Sequence, residues 1–361
     1  MSDAPIITAG ASTRVGIIGG GQLGRMLALA GVPLGIECVG LEPAPDPPMA
    51  AVSDVIVGSF GDRRALGELI GRVDVLTVEL EHVDIDTLAW AAERIAVWPP
   101  VESIAISQDR LSEKRFLRRC GLATAPFDDE VGSFPAIVKT RRGGFDGRGQ
   151  ARVADADELS RARADLPDPI VEGVVTFRRE LSVVAARDIN GIVAAYPLVE
   201  NEHRDGILRV THAPAAAVDE SLASEADRIV RIMLERLGYV GVIGVELFDT
   251  GHGLVVNEFA PRVHNSGHWT MDGAVTSQFE QHLRAVCGLP LGDPSLRGHT
   301  AMVNLIGIEP PLESLLALDG VHVHRYGKTP RPGRKLGHVN VNANEPAALA
   351  AQLARVGGIV G

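Results

Sequence analysis

Two apolar runs, residues 242–248 and 254–259, each carry one glutamate, Glu246 and Glu258, and are joined by the turn-forming residues 249–253, Asp-Thr-Gly-His-Gly. Period and punctuation predict a β-hairpin. With Phe248 opposite Leu254, Glu246 faces Val256, and Glu258 lies diagonal to Glu246 on the same face, roughly 7–8 Å away. Two carboxylates that close need a counter-ion. An all-oxygen pair suits Mg²⁺ or Mn²⁺, with water and nucleotide phosphates completing the shell. Taken alone, the hairpin also fits a solvated face with two ordinary surface carboxylates.

The next ten residues, 260–269, decide between these readings, because they crowd Arg262, His264, Asn265, Ser266 and His268 beside the second glutamate. Loops on rigid scaffolds hold a large share of binding residues. This one has the composition of a pocket for an anionic substrate. Upstream, residues 135–140 predict a short strand that delivers Lys139, followed by a loop with glycines at 143, 144, 147 and 149. Glycine lets backbone N–H groups approach phosphate closely, and the lysine supplies a point charge. The pattern is not G-x-x-x-x-G-K-[ST], which disfavours a P-loop NTPase.

The strand lysine, the glycine-rich lid, Glu172 and the pair Glu246 and Asn257-Glu258 together resemble the ATP-grasp fold of carboxylate–amine and carboxylate–phosphate ligases. The strings at 143–150, 179–183, 196–201 and 264–268 are similar to those of the N5-carboxyaminoimidazole ribonucleotide synthetases of de novo purine synthesis. The resemblance runs from about Arg14 to His338. It implies that Arg110, Lys139, Gly144, Phe145, Asp146, Gly147, Arg148, Gly149 and Gln150 bind ATP. The same role is implied for Glu172, Gly173, Val174, Val175, Glu180, His203, Asn257 and Glu258. Glu246 and Glu258 match the metal ligands. Asp146, Arg148, Arg262, His264, Asn265, Ser266, Lys328 and Arg334 match positions associated with aminoimidazole ribonucleotide and bicarbonate, and Glu79 is a further candidate contact. Phe145, Val263 and Trp269 depart mildly from the family pattern.

The chemistry implied is ATP-dependent carboxylation. Lys139 would neutralise phosphate charge, Arg262 would orient bicarbonate or its phosphorylated product, and the lid around Asp146 would exclude water. His264 is a candidate acid–base group, since an unperturbed imidazole titrates near neutrality, and hydrogen bonding to substrate is an equal alternative. A homodimer is also implied.

The N-terminal end offers a rival. Residues 14–18 form a buried-strand pattern, and Gly19, Gly21 and Gly24 fit G-x-G-x-x-G at the start of an apolar helix, with Glu42 eighteen residues beyond Gly24. Alone, that fingerprint denotes a nicotinamide-dependent oxidoreductase. A third alternative is an ATP-binding regulator without catalysis. No later segment supplies a hydride-transfer site, and Lys139 and both glutamates are present, so the ligase is favoured. The turn is then expected to shape the ribonucleotide pocket through Gly21, Gln22 and Leu23.

Composition adds limits. Lys and Arg number 35 against 46 Asp and Glu, a formal charge of −11 that argues against a general nucleic-acid or anionic-membrane binder. Three widely spaced cysteines, Cys38, Cys120 and Cys287, lack metal-ligand spacing and suit a reducing cytoplasm. Residues 1–13 lack the features of a signal peptide, and no apolar run reaches membrane-spanning length, so a cytoplasmic location is expected. The expected organisation is an α/β and α+β chain. After the tail 1–13 come a Rossmann-like parallel-sheet domain at 14–103, an ATP-grasp body at 104–293 and a small β-rich C-terminal domain at 294–361. Predicted helices include 62–71, 107–120, 220–237 and 346–355.

Overall fold

The computed structural model describes residues 13–128, 131–144 and 148–360. Its first sheet is built from β1 (Arg14–Ile18), β2 (Glu37–Glu42), β3 (Asp54–Val57), β4 (Val75–Val78) and β5 (Ala96–Val97), all parallel, in the order β3-β2-β1-β4-β5. This is the parallel unit expected from the alternation of apolar runs and helices. Its strands are nearly continuously apolar because helices cover both faces. The helix Arg63–Ile70 starts where Asp62 accepts from the amides of Arg64 and Ala65, and it buries Ala65, Leu66 and Leu69.

A three-stranded antiparallel sheet follows, with β6 (Ala136–Thr140) between β7 (Gln150–Val153) and β8 (Pro169–Gly173). The remaining strands are β9 (Arg179–Arg187), β10 (Val193–Ala195), β11 (Val199–Arg204), β12 (Ile207–Ala213), β13 (Gly241–Asp249), β14 (Leu254–Ala260), β15 (His299–Ile306), β16 (Val321–Arg325) and β17 (Lys335–Ala343). They form one nine-stranded sheet in the order β14-β13-β9-β11-β12-β15-β17-β16, with β10 beside β9. The strands after residue 294 therefore continue the sheet of the central body. That continuity aims the C-terminal residues at the same cleft.

The helix Glu220–Arg236, capped by Asp219, presses Ile229, Val230, Met233 and Leu234 onto this sheet, as its 3.6-residue pattern predicts. The helix predicted at 107–120 spans Arg110–Arg119, and a separate helix, Val101–Ser107, ends where it was expected to begin. Asp109 separates them by accepting from the amides of Leu111 and Ser112, a capping geometry incompatible with helix continuation. The break turns Arg110 into the cleft. The C-terminal helix spans Pro346–Val360 with proline in its first turn. No described helix is long and apolar enough to cross a membrane.

Candidate active site

All three sheets contribute to one cleft of about 620 Å³. Gln22 and Glu81 come from the connections of the first sheet, Lys139 and Gln150 from the small sheet, and His203, Glu246 and Glu258 from the large one.

The glutamate pair is set by a register other than the expected one. Leu254 pairs with Asp249, not with Phe248, because the Asp249 carboxylate holds the turn by accepting from the Gly251 amide at 2.9 Å, and so strand pairing extends one residue further. A bulge at Asn257 shifts the ladder once more, and Glu246 lies directly opposite Glu258, where a diagonal placement was expected. The Asn257 carbonyl accepts from the buried Lys114 ammonium at 2.9 Å, and its side-chain amide lies 3.4 Å from Glu246.

The two carboxylates are electrostatically unequal. Burial and the facing Glu258 charge push the Glu246 carboxyl up to about 7. Burial also acts upward on Glu258, but Arg110, 2.8 Å away, holds it down at about 2. A like-charged pair of which one member resists ionisation fits a divalent cation held by oxygen donors. Glu246 and Glu258 would hold it, with Asn257 adjacent.

Cationic groups line the facing wall. Arg110 also donates to the Gly144 carbonyl of the lid at 3.0 Å. Lys139 lies 2.8 Å from Glu172, which Lys114 approaches to 3.7 Å. Glu172 is buried behind this wall, whereas Gly144, Arg148 and Gln150 are on it. Gly149 takes a positive φ of 70° at the lid's return, where its carbonyl accepts from Thr140. Gly173, Val174 and Val175 end β8 and begin the connection to β9. The expectations at Phe145, Asp146 and Gly147 lie outside the described residues. Glu180 pairs with His203 at 2.5 Å, and although burial disfavours the imidazolium, Glu180 and Glu246 raise the His203 pKa. Phe177 and Phe248 stack with ring centroids 4.6 Å apart, an aromatic wall that the motif reading did not single out.

On the opposite side, Arg262 pairs with Glu81 at 2.7 Å. Glu81, two residues past Glu79, is a cleft residue that the sequence reading did not select. His264, Asn265 and His268 reach the cleft. Ser266 does not: it is fully buried, and its hydroxyl lies between Ser182 and His264 Nδ1. Gln278 clamps the loop, accepting from the His264 amide at 2.8 Å and donating to its carbonyl at 2.7 Å. His264 packs so closely on Gly244 that a Cβ there would lie 2.5 Å from the His264 Cβ. Burial and the nearby Arg262 charge push the His264 pKa down to about 3, so the imidazole is neutral at physiological pH. Of the two roles expected for it, hydrogen bonding fits this state and acid–base exchange near neutrality does not.

The N-terminal glycine turn holds a carboxylate of its own chain. Glu79 accepts from the Gly24 amide at 2.5 Å and from the Gly21 amide, which is where a dinucleotide pyrophosphate would sit. A Cβ on Gly21 would meet the Glu79 Oε1 at 2.6 Å. Gln22 and Leu23 face the cleft, and the Lys328 ammonium donates to the Gln22 side chain. Arg334 donates to the Thr329 carbonyl at 3.0 Å and lies near Lys328, whose ammonium burial and the Arg334 charge help to discharge, while the neighbouring Lys335 lines the cleft.

Three family models match the chain in succession. They are a ribonucleotide synthetase preATP-grasp domain at residues 12–108, an ATP-grasp domain at 124–279 and a phosphoribosylaminoimidazole carboxylase C-terminal domain at 300–352. The N5-carboxyaminoimidazole ribonucleotide synthase of Pseudomonas aeruginosa is 42% identical over 360 residues, covering 96% of this chain and 99% of that one. The crystal structure of the synthetase from Thermus thermophilus is similar with a TM-score of 0.92 at 44% identity, covering 96% and 98% of the two chains. That of the Aspergillus clavatus enzyme, in complex with ADP and 5-aminoimidazole ribonucleotide, gives 0.89 at 31% identity, covering 97% and 98%. With its parallel first sheet, its bulged glutamate pair and these full-length likenesses, the chain belongs to the N5-carboxyaminoimidazole ribonucleotide synthase family of ATP-dependent ligases.

Proposed function

We propose that this protein carboxylates the exocyclic amine of 5-aminoimidazole ribonucleotide, using ATP and bicarbonate and releasing ADP and phosphate, in de novo purine synthesis. The observation that carries the reading is the meeting of two chemistries in one cleft. The paired carboxylates Glu246 and Glu258 stand among Arg110, Lys139 and Arg148, while Arg262, His264 and Asn265 stand beside them. The first set suits a nucleotide triphosphate and the second a small oxyanion.

Mg²⁺, held by Glu246 and Glu258, would neutralise charge on the transferring phosphoryl group. Lys139 and Arg110 would then bind phosphate oxygens, and the stacked Phe177–Phe248 pair would offer the purine ring one apolar surface. Bicarbonate oxygen attacks the γ-phosphorus, the bond to ADP breaks, and carboxyphosphate results. The amine then captures its carboxyl group, and phosphate leaves. Arg262, made rigid by Glu81, orients the bicarbonate, and neutral His264 donates a hydrogen bond to it. Phosphoryl transfer needs this positioning and charge neutralisation more than covalent help.

Purified protein should release ADP only when bicarbonate and aminoimidazole ribonucleotide are both supplied at saturating Mg²⁺. ADP release indifferent to either would remove this reading.

A further inference from the structure

A chain of buried hydroxyl and amide groups runs through the large sheet to His264. Thr211 Oγ1 on β12 lies 2.9 Å from Asn201 Oδ1 on β11, and Asn201 Nδ2 lies 2.9 Å from Ser182 Oγ on β9. Ser182 Oγ lies 2.7 Å from Ser266 Oγ, which lies 2.8 Å from His264 Nδ1. Thr211, Ser182 and Ser266 are fully buried, and Asn201 is 7% exposed. The substrate reading assigns no role to Thr211, Asn201 or Ser182.

We propose that Ser182, Asn201 and Thr211 are positioning residues that fix His264 in the tautomer with its proton on Nε2, so that a donor faces the cleft. The inference rests on the reading of His264 as a group that faces substrate. Hydroxyls conduct in either direction, so the polarity of such a chain must come from groups that cannot reverse. The Ser266 backbone N–H is one: it points at His264 Nδ1 from 3.4 Å and can only donate, so Nδ1 presents its lone pair. The Ser266 hydroxyl then donates to Nδ1, Ser182 to Ser266, Asn201 Nδ2 to Ser182, and Thr211 to Asn201 Oδ1. Every hydroxyl proton has an acceptor in this direction. Run the other way, the chain sets the Ser266 amide against a protonated nitrogen and leaves the Thr211 hydroxyl proton without an acceptor in the chain. With Nδ1 occupied, the proton sits on Nε2, 3.5 Å from Glu246 Oε1. Orientation of an imidazole by the partner of its other nitrogen is the general means of choosing its tautomer.

Asn201→Asp tests the assignment, because a carboxylate cannot donate. Ser182 would turn its proton to Asp at 201 and accept from Ser266, which would in turn accept from His264 Nδ1–H. In protein labelled with ¹⁵N-histidine, with the His264 signals assigned by their loss in His264→Gln, the wild type should carry its proton on Nε2 and Asn201→Asp on Nδ1. The reversal should lower kcat by roughly 10²-fold, as removing one preorganised donor does, with KM for ATP unchanged. Ser182→Ala, nearly isosteric, should give a mixture of tautomers and a smaller loss. A wild-type proton on Nδ1, an unaltered tautomer in both variants, or a reversed tautomer with full kcat would overturn the proposal. Absence of bicarbonate-dependent turnover in the wild type would instead count against the functional reading, and the spectrum would still decide the tautomer.

Discussion

Arg110 and Glu258, 148 residues apart in sequence, form an ion pair at 2.8 Å, and the same guanidinium reaches the lid through the Gly144 carbonyl at 3.0 Å. One side chain thus ties a carboxylate proposed as a metal ligand to the glycine-rich loop. Arg110→Gln should weaken ATP binding and lower kcat together while leaving the fold intact, since the Asp109 cap that starts its helix is untouched. Calorimetric titration with an ATP analogue, beside a thermal melt, checks this. An unchanged affinity would detach Arg110 from the nucleotide.

Glu258→Gln keeps the shape of the hairpin and removes one carboxylate charge from the proposed metal site. Losing a single preorganised electrostatic group costs roughly 10²–10³ in kcat, and that loss is expected at saturating Mg²⁺ with a near-normal melt. Near-normal turnover in the folded variant would exclude Glu258 from the metal site.

Glu246→Gln should separate stability from activity through pH. The Glu246 carboxyl has a folded pKa near 7 against its ordinary 4.5, so the folded state holds its proton more tightly than the unfolded one. Its contribution is favourable at low pH and is lost as pH rises through 7. The metal-free Glu246→Gln protein should therefore melt higher than wild type at pH 8, the difference shrinking toward pH 5, while kcat at saturating Mg²⁺ falls by roughly 10²–10³. A melting difference that grew toward acid would reverse the sign of this account.

The order of elements, the lysine-bearing strand and the glutamate hairpin were legible in the sequence because each is a local pattern of period and punctuation. The register of that hairpin was not, since the bulge at Asn257 is held by Lys114, a residue on a helix 143 positions away in sequence. Glu79 and Glu81 look alike in sequence, but one caps the glycine turn and the other pairs with Arg262. Gly244 and Gln278 matter only because the loop carrying His264 folds back on them. Ser266 reads as a substrate contact from its neighbours in the motif, and only the packing of β9 shows its hydroxyl turned inward.

Glu79 fills the place that a dinucleotide phosphate would need, so NAD should not bind. Glu79→Ala should leave the Gly21 and Gly24 amides without this partner and lower stability by about 1–3 kcal/mol for each amide that water does not reach. Urea unfolding measures the cost, and a fluorescence titration with NAD tests the exclusion. Tight NAD binding by the wild type would contradict the assignment of the turn.

Arg262→Ala should impair carboxylation far more than nucleotide binding, because the residue pairs with Glu81 and acts electrostatically on His264. Steady-state kinetics in bicarbonate, set against the affinity for an ATP analogue, reads both effects. Collapse of nucleotide affinity with an intact bicarbonate response would show the assignment to be wrong.

In the proposed reaction, bicarbonate oxygen, positioned by Arg262 and His264, attacks the γ-phosphate beside Glu246 and Glu258. Turnover with ¹⁸O-bicarbonate and aminoimidazole ribonucleotide, followed by mass spectrometry of the released phosphate, tests it directly. Each released phosphate should carry one oxygen from bicarbonate, and phosphate whose added oxygen came only from water would contradict attack by bicarbonate.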